Sequence, residues 1–180
     1  MSSLCSLHFR CLRPADAAAL LCLRHQAIQE APTAFGTEPA FELGKTLGHY
    51  RAQLLRFTQR GREDLLGIWQ ADRLVGLAGH GARRRGRLEY VLIYSMYVTP
   101  ELRGQGLGAA LIHHCCARAV RDWGLNRARL NVEIHNLTAW RLYQRLGFRE
   151  INRETAAFRI NGVAYDVAVL EKTPLAPAEK

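Results

Sequence analysis

Apolar positions along the chain recur with two periods, and their order sets out a mixed α/β arrangement before any residue is given a chemical role. Residues 7–12 read as a first strand. Pro14-Ala15-Asp16 then opens an alanine- and leucine-rich helix reaching about residue 29, and the segment 30–39, with Pro32, Gly36 and Pro39, breaks it. A second helical stretch covers roughly 40–59. Residues 65–71 and 74–81 form two strands around Asp72-Arg73, a hairpin. The next strand runs from about 88 to 98 and is closed by Thr99-Pro100. Ala109, Leu111, Ile112, Cys115, Cys116, Ala119 and Val120 follow at three-to-four spacing and mark a helix starting near Gly106. Residues 128–133 make a short strand, and Asn136 is a good N-cap for the helix after it. That helix places Ala139, Leu142, Tyr143 and Leu146 on one face and Arg141, Gln144 and Arg145 on the other, and Gly147 ends it as a left-handed cap. Residues 155–160 and 163–170 flank Asn161-Gly162, the strongest short hairpin signal in the chain. There is no repeat and no second domain: residues 1–172 read as one domain, and 173–180, with Pro174 and Pro177, as a disordered tail.

Composition agrees with one globular core. The chain has 180 residues, 48% hydrophobic and 23% charged. No apolar run approaches the ~20 residues needed to span a bilayer, so no membrane association is expected. The opening residues lack the basic region and long apolar core of a signal peptide. The cysteines are 5, 11, 22, 115 and 116: an odd number, two of them adjacent, with no Cys-x-x-Cys. Small buried thiols in a reducing cytoplasm are the better reading than disulfides or metal ligands, and only one of the adjacent pair is expected to face the core. The histidines are scattered without metal-site spacing, so no metal is expected.

The net charge of +9 has a local focus in Arg83-Arg84-Arg85-Gly86-Arg87, which reads as a solvated hairpin tip. No aromatic residues interleave with these arginines, so a stacking platform for nucleic acid has no support.

The candidate chemistry lies at Arg103-Gly104-Gln105-Gly106-Leu107-Gly108-Ala109, which joins an apolar strand directly to an amphipathic helix. Glycines at 104, 106 and 108 remove the Cβ atoms that would keep a bulky anion from the backbone. Amides at a helix start are unpaired, and the helix dipole adds partial positive charge. Arg103 supplies a fork of donors matched to phosphate oxygens. This is not a Walker A loop, because Ala109-Ala110 follow Gly108 where Lys-Ser/Thr is required. It is not the dinucleotide fingerprint either, because the spacing is Gly-x-Gly-x-Gly and the turn lies in mid-chain. A pyrophosphate held by backbone N–H groups is the chemistry it suggests.

Residues 98–111, Val98-Thr99-Pro100-Glu101-Leu102-Arg103-Gly104-Gln105-Gly106-Leu107-Gly108-Ala109-Ala110-Leu111, resemble motif A of the GCN5-related N-acetyltransferases (GNAT family). Residues 130–148, with the string Asn-x-x-Ala-x-x-x-Tyr-x-x-x-Gly-Phe from Asn136 to Phe148, resemble motif B. The resemblance is firm over 88–150 and extends over 64–171. It implies a single α/β (α+β) domain: a mixed, mostly antiparallel central sheet, helices on both faces, and a splayed strand pair. It also implies acetyl-CoA as acyl donor, with Met96, Tyr97, Val98, Arg103, Gly104, Gln105, Gly106, Leu107, Gly108, Ala109, Asn136 and Tyr143 as its binding residues. The pantetheine arm would enter the splay like an added strand, and the N–H near Val98 would hold the oxyanion. Tyr143 would protonate the departing thiolate as an amine attacks directly in a ternary complex.

A base for the amine is less evident. Relatives often carry a carboxylate where this chain has Tyr94, followed by Ser95. Glu133, Glu89 and His135 are substitutes, and Glu133, at the strand end, is the preferred one. The first two helices and the last hairpin, residues 25–50 and 155–165, would wall the acceptor pocket, where Glu30, Glu38 and Glu42 either attract a cationic amine or act as helix-end charges. The acceptor, a small-molecule or protein amine, is not chosen by the sequence, and a homodimer stays open. Two other classes remain: a catalytically weak CoA-binding sensor of the same fold, and a basic nucleic-acid-associated protein resting on the arginine cluster alone.

Overall fold

The computed structural model describes residues 6–175. Seven strands form one sheet in the order β1-β2-β3-β4-β5-β7-β6. They are β1 (Leu7–Cys11), β2 (Glu63–Gln70), β3 (Arg73–Arg85), β4 (Leu88–Val98), β5 (Ala128–Glu133), β6 (Arg149–Ile160) and β7 (Val163–Lys172). Every neighbouring pair is antiparallel except β4 and β5. That parallel pair needs a crossover, and α4 (Leu107–Trp123) provides it.

Helices cover both faces, which is why β2 and β3 read as nearly continuous apolar runs. On one face α1 (Ala17–Glu30) and α3 (Leu47–Arg60) bury Leu20, Leu23, Tyr50 and Leu54 against Leu65, Trp69, Leu74 and Leu77. On the other, α4 and α5 (Leu137–Arg145) bury Leu111, Ile112, Cys115 and Tyr143 against Leu66, Ile68, Val75 and Ile93. The fold class expected from the sequence is the one found.

Several local readings are corrected. The helix expected over 40–59 is two: α2 (Pro39–Leu43), ended at Gly44, and α3, started by Thr46, whose hydroxyl accepts from the His49 amide at 3.3 Å. The first hairpin turns at Ala71-Asp72, since Gln70 pairs with Arg73. β6 begins at Arg149 rather than 155; its residues are almost all exposed, so no apolar alternation betrays them. Cys115 and Cys116 are both buried, because α4 sits deep enough in the core to cover more than one stripe, while Cys11 is half-buried and Cys22 exposed. Cys5 lies outside the described residues. Leu175, expected in the tail, is buried and its amide donates to the Asn126 carbonyl at 2.8 Å, while 176–180 lie outside the described residues. Among the described residues no helix is long and apolar enough to cross a membrane.

The arginine cluster is also more ordered than a loop. Arg83, Arg84 and Arg85 belong to β3, and only Gly86-Arg87 turn, with Gly86 at φ +61°. Arg83 is ion-paired with Glu63 on β2, whereas Arg84, Arg85 and Arg87 are exposed. Replacing Arg84, Arg85 and Arg87 together with Ser should therefore change stability by no more than about 0.5 kcal/mol per site, read by denaturant unfolding. The same variant tests the nucleic-acid class: wild-type protein should show no steeply salt-dependent RNA or duplex binding for it to lose.

Candidate active site

The site begins where β4 and β5 part. They pair only at Val91↔Ala128, Leu92↔Arg129 and Ile93↔Leu130, and beyond Ile93 the ladder stops. The cause is a bulge in β4. On β3 two steps, Leu77 to Gly79, face three on β4, Tyr97 back to Tyr94, so one residue is extra. Ser95 carries the strain at φ +53°, a left-handed conformation unusual for a residue with a Cβ. Tyr94 lies across the sheet above Gly79, where any Cβ would come within 2.4 Å of the tyrosine ring.

Past the bulge, the amide of Thr99 donates to Val75 at 3.0 Å, so this parity of β4 bonds to β3. By the alternation of a strand, the amides of Met96 and Val98 face the other way, into the opening. The opening continues as a cleft of about 430 Å³. Met96, Tyr97 and Val98 line one wall, Arg103, Gly104, Gly106, Leu107, Gly108 and Ala109 the end, and Tyr143 with Leu142 and Ala139 the facing wall from α5. Gly104 and Gly106 both sit at φ +78° with open space where a Cβ would project, and Gly106 caps α4. Because the first helical amide to find an intrahelical acceptor beyond the cap is that of Ala110, bonded to Gly106 at 3.0 Å, the amides of Leu107, Gly108 and Ala109 point into the cleft mouth.

Not every residue expected here lines the cleft. Gln105 is exposed and Asn136 is outside the lining; Asn136 instead caps α5, accepting from the Ala139 amide at 3.2 Å. The Arg103 guanidinium is turned back on the protein: Nε donates to the Val98 carbonyl at 2.9 Å and Nη1 pairs with Glu30, which also accepts from the Tyr97 hydroxyl at 2.6 Å. In this arrangement Arg103 ties the glycine turn to β4 and α1 more than it offers a free fork. Tyr143 is buried, packed at 6.1 Å from the Phe148 ring, and burial pushes its phenol up to about 12, so it stays protonated at neutral pH.

On the other side of the splay is a second cavity of about 390 Å³, lined by residues of β4 and β5, by Phe35 and its neighbours, and by Ala157 and Phe158 of β6. Its ionisable lining residues besides Tyr94 are Glu133 and Glu154. Glu133 is buried, and its Oε1 accepts from the His135 amide at 2.9 Å. Of the three candidate bases it alone lines this cavity; Glu89 and His135 are exposed and outside it. Tyr94 is no base: burial and the Glu63 carboxylate, to which its hydroxyl donates at 2.8 Å, hold its phenol well above the usual range. Glu30, Glu38 and Glu42 do not line this cavity. Glu30 serves Arg103 and Tyr97, Glu38 accepts from the Asn161 amide at 3.0 Å, and Glu42 is buried beside Arg24. Phe35 and Phe158 lie within the segments expected to wall the acceptor pocket, whereas Glu154 was not legible as a site residue. Glu154 lies in the unrecognised first half of β6, next to a bulge at Ala156, φ +49°, and borders the cavity from an exposed position.

The sequence model described as the acetyltransferase (GNAT) family matches residues 24–148. A mycothiol acetyltransferase of Mycolicibacterium gilvum is 38% identical over 68 residues, 36% of this chain and 22% of its own length. An uncharacterized N-acetyltransferase of Mycobacterium bovis is 37% identical over 84 residues, 47% of this chain and 52% of its own length. The chain thus spans at most about half the length of these curated relatives. In overall fold it superposes on spermidine N-acetyltransferase from Vibrio cholerae, solved with CoA and spermine, with a TM-score of 0.77 at 20% identity over 93% of this chain and 95% of that one. The family match covers well over half of the sequence, including both walls of the cleft, the bulged strand β4 among them, and the protein belongs to the GNAT acetyltransferase family.

Proposed function

We propose that this protein is an N-acetyltransferase that moves the acetyl group of acetyl-CoA directly to a primary amine. The observation that carries this reading is the placement of two cavities along β4 on either side of the splay, one lined up to Ser95 and the other from Met96 onward: an acidic acceptor cavity and a donor cleft with outward amides. The pyrophosphate of acetyl-CoA fits the amides of residues 107–109 at the start of α4, and the pantetheine fits along the free edge of β4, bonding to Met96 and Val98. The Val98 amide is then the donor available to the thioester oxygen. Tyr143 donates its hydroxyl toward the sulfur. Because its phenol is a weaker acid than an ordinary thiol, its role is to stabilise the developing thiolate by hydrogen bonding, with protonation completed as the attacking nitrogen loses its proton.

An amine reaches the site as an ammonium and must lose a proton to attack. Glu133 is the carboxylate in position to attract the cation and to accept that proton, directly or through water. Among the described residues no cysteine lines either cavity, and burial raises the thiols of Cys115 and Cys116.

The test is thiol release from acetyl-CoA with a panel of amines, for which turnover above hydrolysis is expected. Cofactor binding without turnover on any amine would favour the CoA-sensor reading instead. Glu133→Gln should lower kcat/KM at neutral pH by roughly 10²-fold, the lower end of general-base effects, with acetyl-CoA affinity retained. An unchanged kcat/KM would assign the proton to another group.

A further inference from the structure

The acceptor cavity has a neighbour. Between α1, α2, α3 and β4 lies a smaller cavity of about 210 Å³, and the two share Phe35, Tyr94 and Ser95 in their walls. Their charges are opposite. The acceptor side carries Glu133 and Glu154 with no lysine or arginine in its lining, whereas the smaller cavity carries Arg24 and Lys45 around a single acid, Glu42.

That cluster is unbalanced, with Arg24 and Glu42 buried and Lys45 partly so. Arg24 is 9% exposed, its Nη2 donates to Glu42 at 2.7 Å, and its guanidinium lies over the Phe35 ring at 4.6 Å. Lys45 pairs with the other oxygen of the same carboxylate. Although burial works against it, Lys45 and Arg24 hold Glu42 below the usual carboxylate range, so the acid is ionised, and the Tyr50 hydroxyl beside it is neutral. Two cations therefore face one anion, and a net positive charge in a partly desolvated cavity is stabilised by an incoming anion. Ser95 connects the halves. Its hydroxyl accepts from Arg24 Nη1 at 3.1 Å while the same residue also borders the acceptor cavity.

We propose that the two cavities are the ends of one acceptor site, and that the preferred acceptor is a zwitterion of the amino-acid class. Its amine lies beside Glu133 at the splay, and its carboxylate points past Ser95 and Phe35 to Arg24 and Lys45. This rests on the acetyl-transfer reading and narrows it: a polyamine carries cations at both ends and would meet positive charge at the second, whereas an amino acid matches both. Lys45 is then a specificity residue that touches the acceptor's far end.

The test pairs acceptors that differ only at that end. Thiol release is measured for the common L-amino acids and for the ω-amino acids from β-alanine to 6-aminohexanoate, each against its own carboxamide. At least one acid should exceed its amide by about tenfold or more in kcat/KM. Lys45→Gln should bring that ratio toward one, and Lys45→Arg, which keeps the charge, should retain it. Amides equal to or better than their acids throughout would overturn the zwitterion assignment while leaving acetyl transfer standing, as would a ratio unmoved in Lys45→Gln. No thiol release from either series alongside release with another amine of the panel would overturn the zwitterion assignment alone; no release with any amine would overturn both.

Discussion

Gly106→Asp should abolish acetyl-CoA binding. Gly106 is the cap of α4, and a side chain there projects into the open mouth of the cleft, where the amides of residues 107–109 converge. A carboxylate would take those amides for itself and repel the pyrophosphate. Losing two charge-assisted hydrogen bonds, each about 1.5–3 kcal/mol, corresponds to an affinity loss of roughly 10²-fold or more. In wild type, acetyl-CoA at a hundred times its Kd should add about 2.7 kcal/mol of stability, seen as a higher Tm, and this increment should vanish in the variant. The left-handed backbone at φ +78° complicates the substitution, so Gly106→Ala is the control. Alanine tolerates that conformation less well than aspartate. If strain were the cause, Ala would lose at least as much affinity as Asp; if charge is the cause, Ala retains binding. Equal losses would remove the pyrophosphate assignment.

Tyr143→Phe should lower turnover by roughly 10²-fold with acetyl-CoA affinity held, the scale of an acid contribution to the leaving group. The substitution removes only the hydroxyl. The ring keeps its place in the core beside Phe148, so unfolding measurements should place the variant within about 1 kcal/mol of wild type. A turnover within a factor of a few would make Tyr143 a packing residue and leave the sulfur to solvent.

The fold was readable because its elements obey strong local rules. Asn161-Gly162 turns the last hairpin with both residues at positive φ, as that dipeptide prefers, and Asn136 caps α5 through its side chain. The glycine turn was readable for the same reason: Gly104 and Gly106 adopt a backbone that excludes most other residues. What escaped is non-local. Ser95 breaks the strand without a glycine or proline to announce it, because the strain is sustained by Arg24 on its hydroxyl and by the Tyr94 ring seated on Gly79. Arg103 has the right type and position for a phosphate ligand, but Glu30, dozens of residues away, holds it. Glu154 reaches the acceptor cavity from a strand exposed along almost its whole length, where no apolar period exists to be read. Glu42, read as either an attractor of a cationic amine or a helix-end charge, is instead held by two cations of the protein itself.

Direct transfer within a ternary complex is the central claim, and two-substrate initial-rate kinetics test it most directly. With acetyl-CoA and a productive amine varied together, double-reciprocal plots should intersect, and the protein incubated with acetyl-CoA alone should keep its native mass. Parallel lines, or a protein heavier by one acetyl group before any amine is added, would contradict the account.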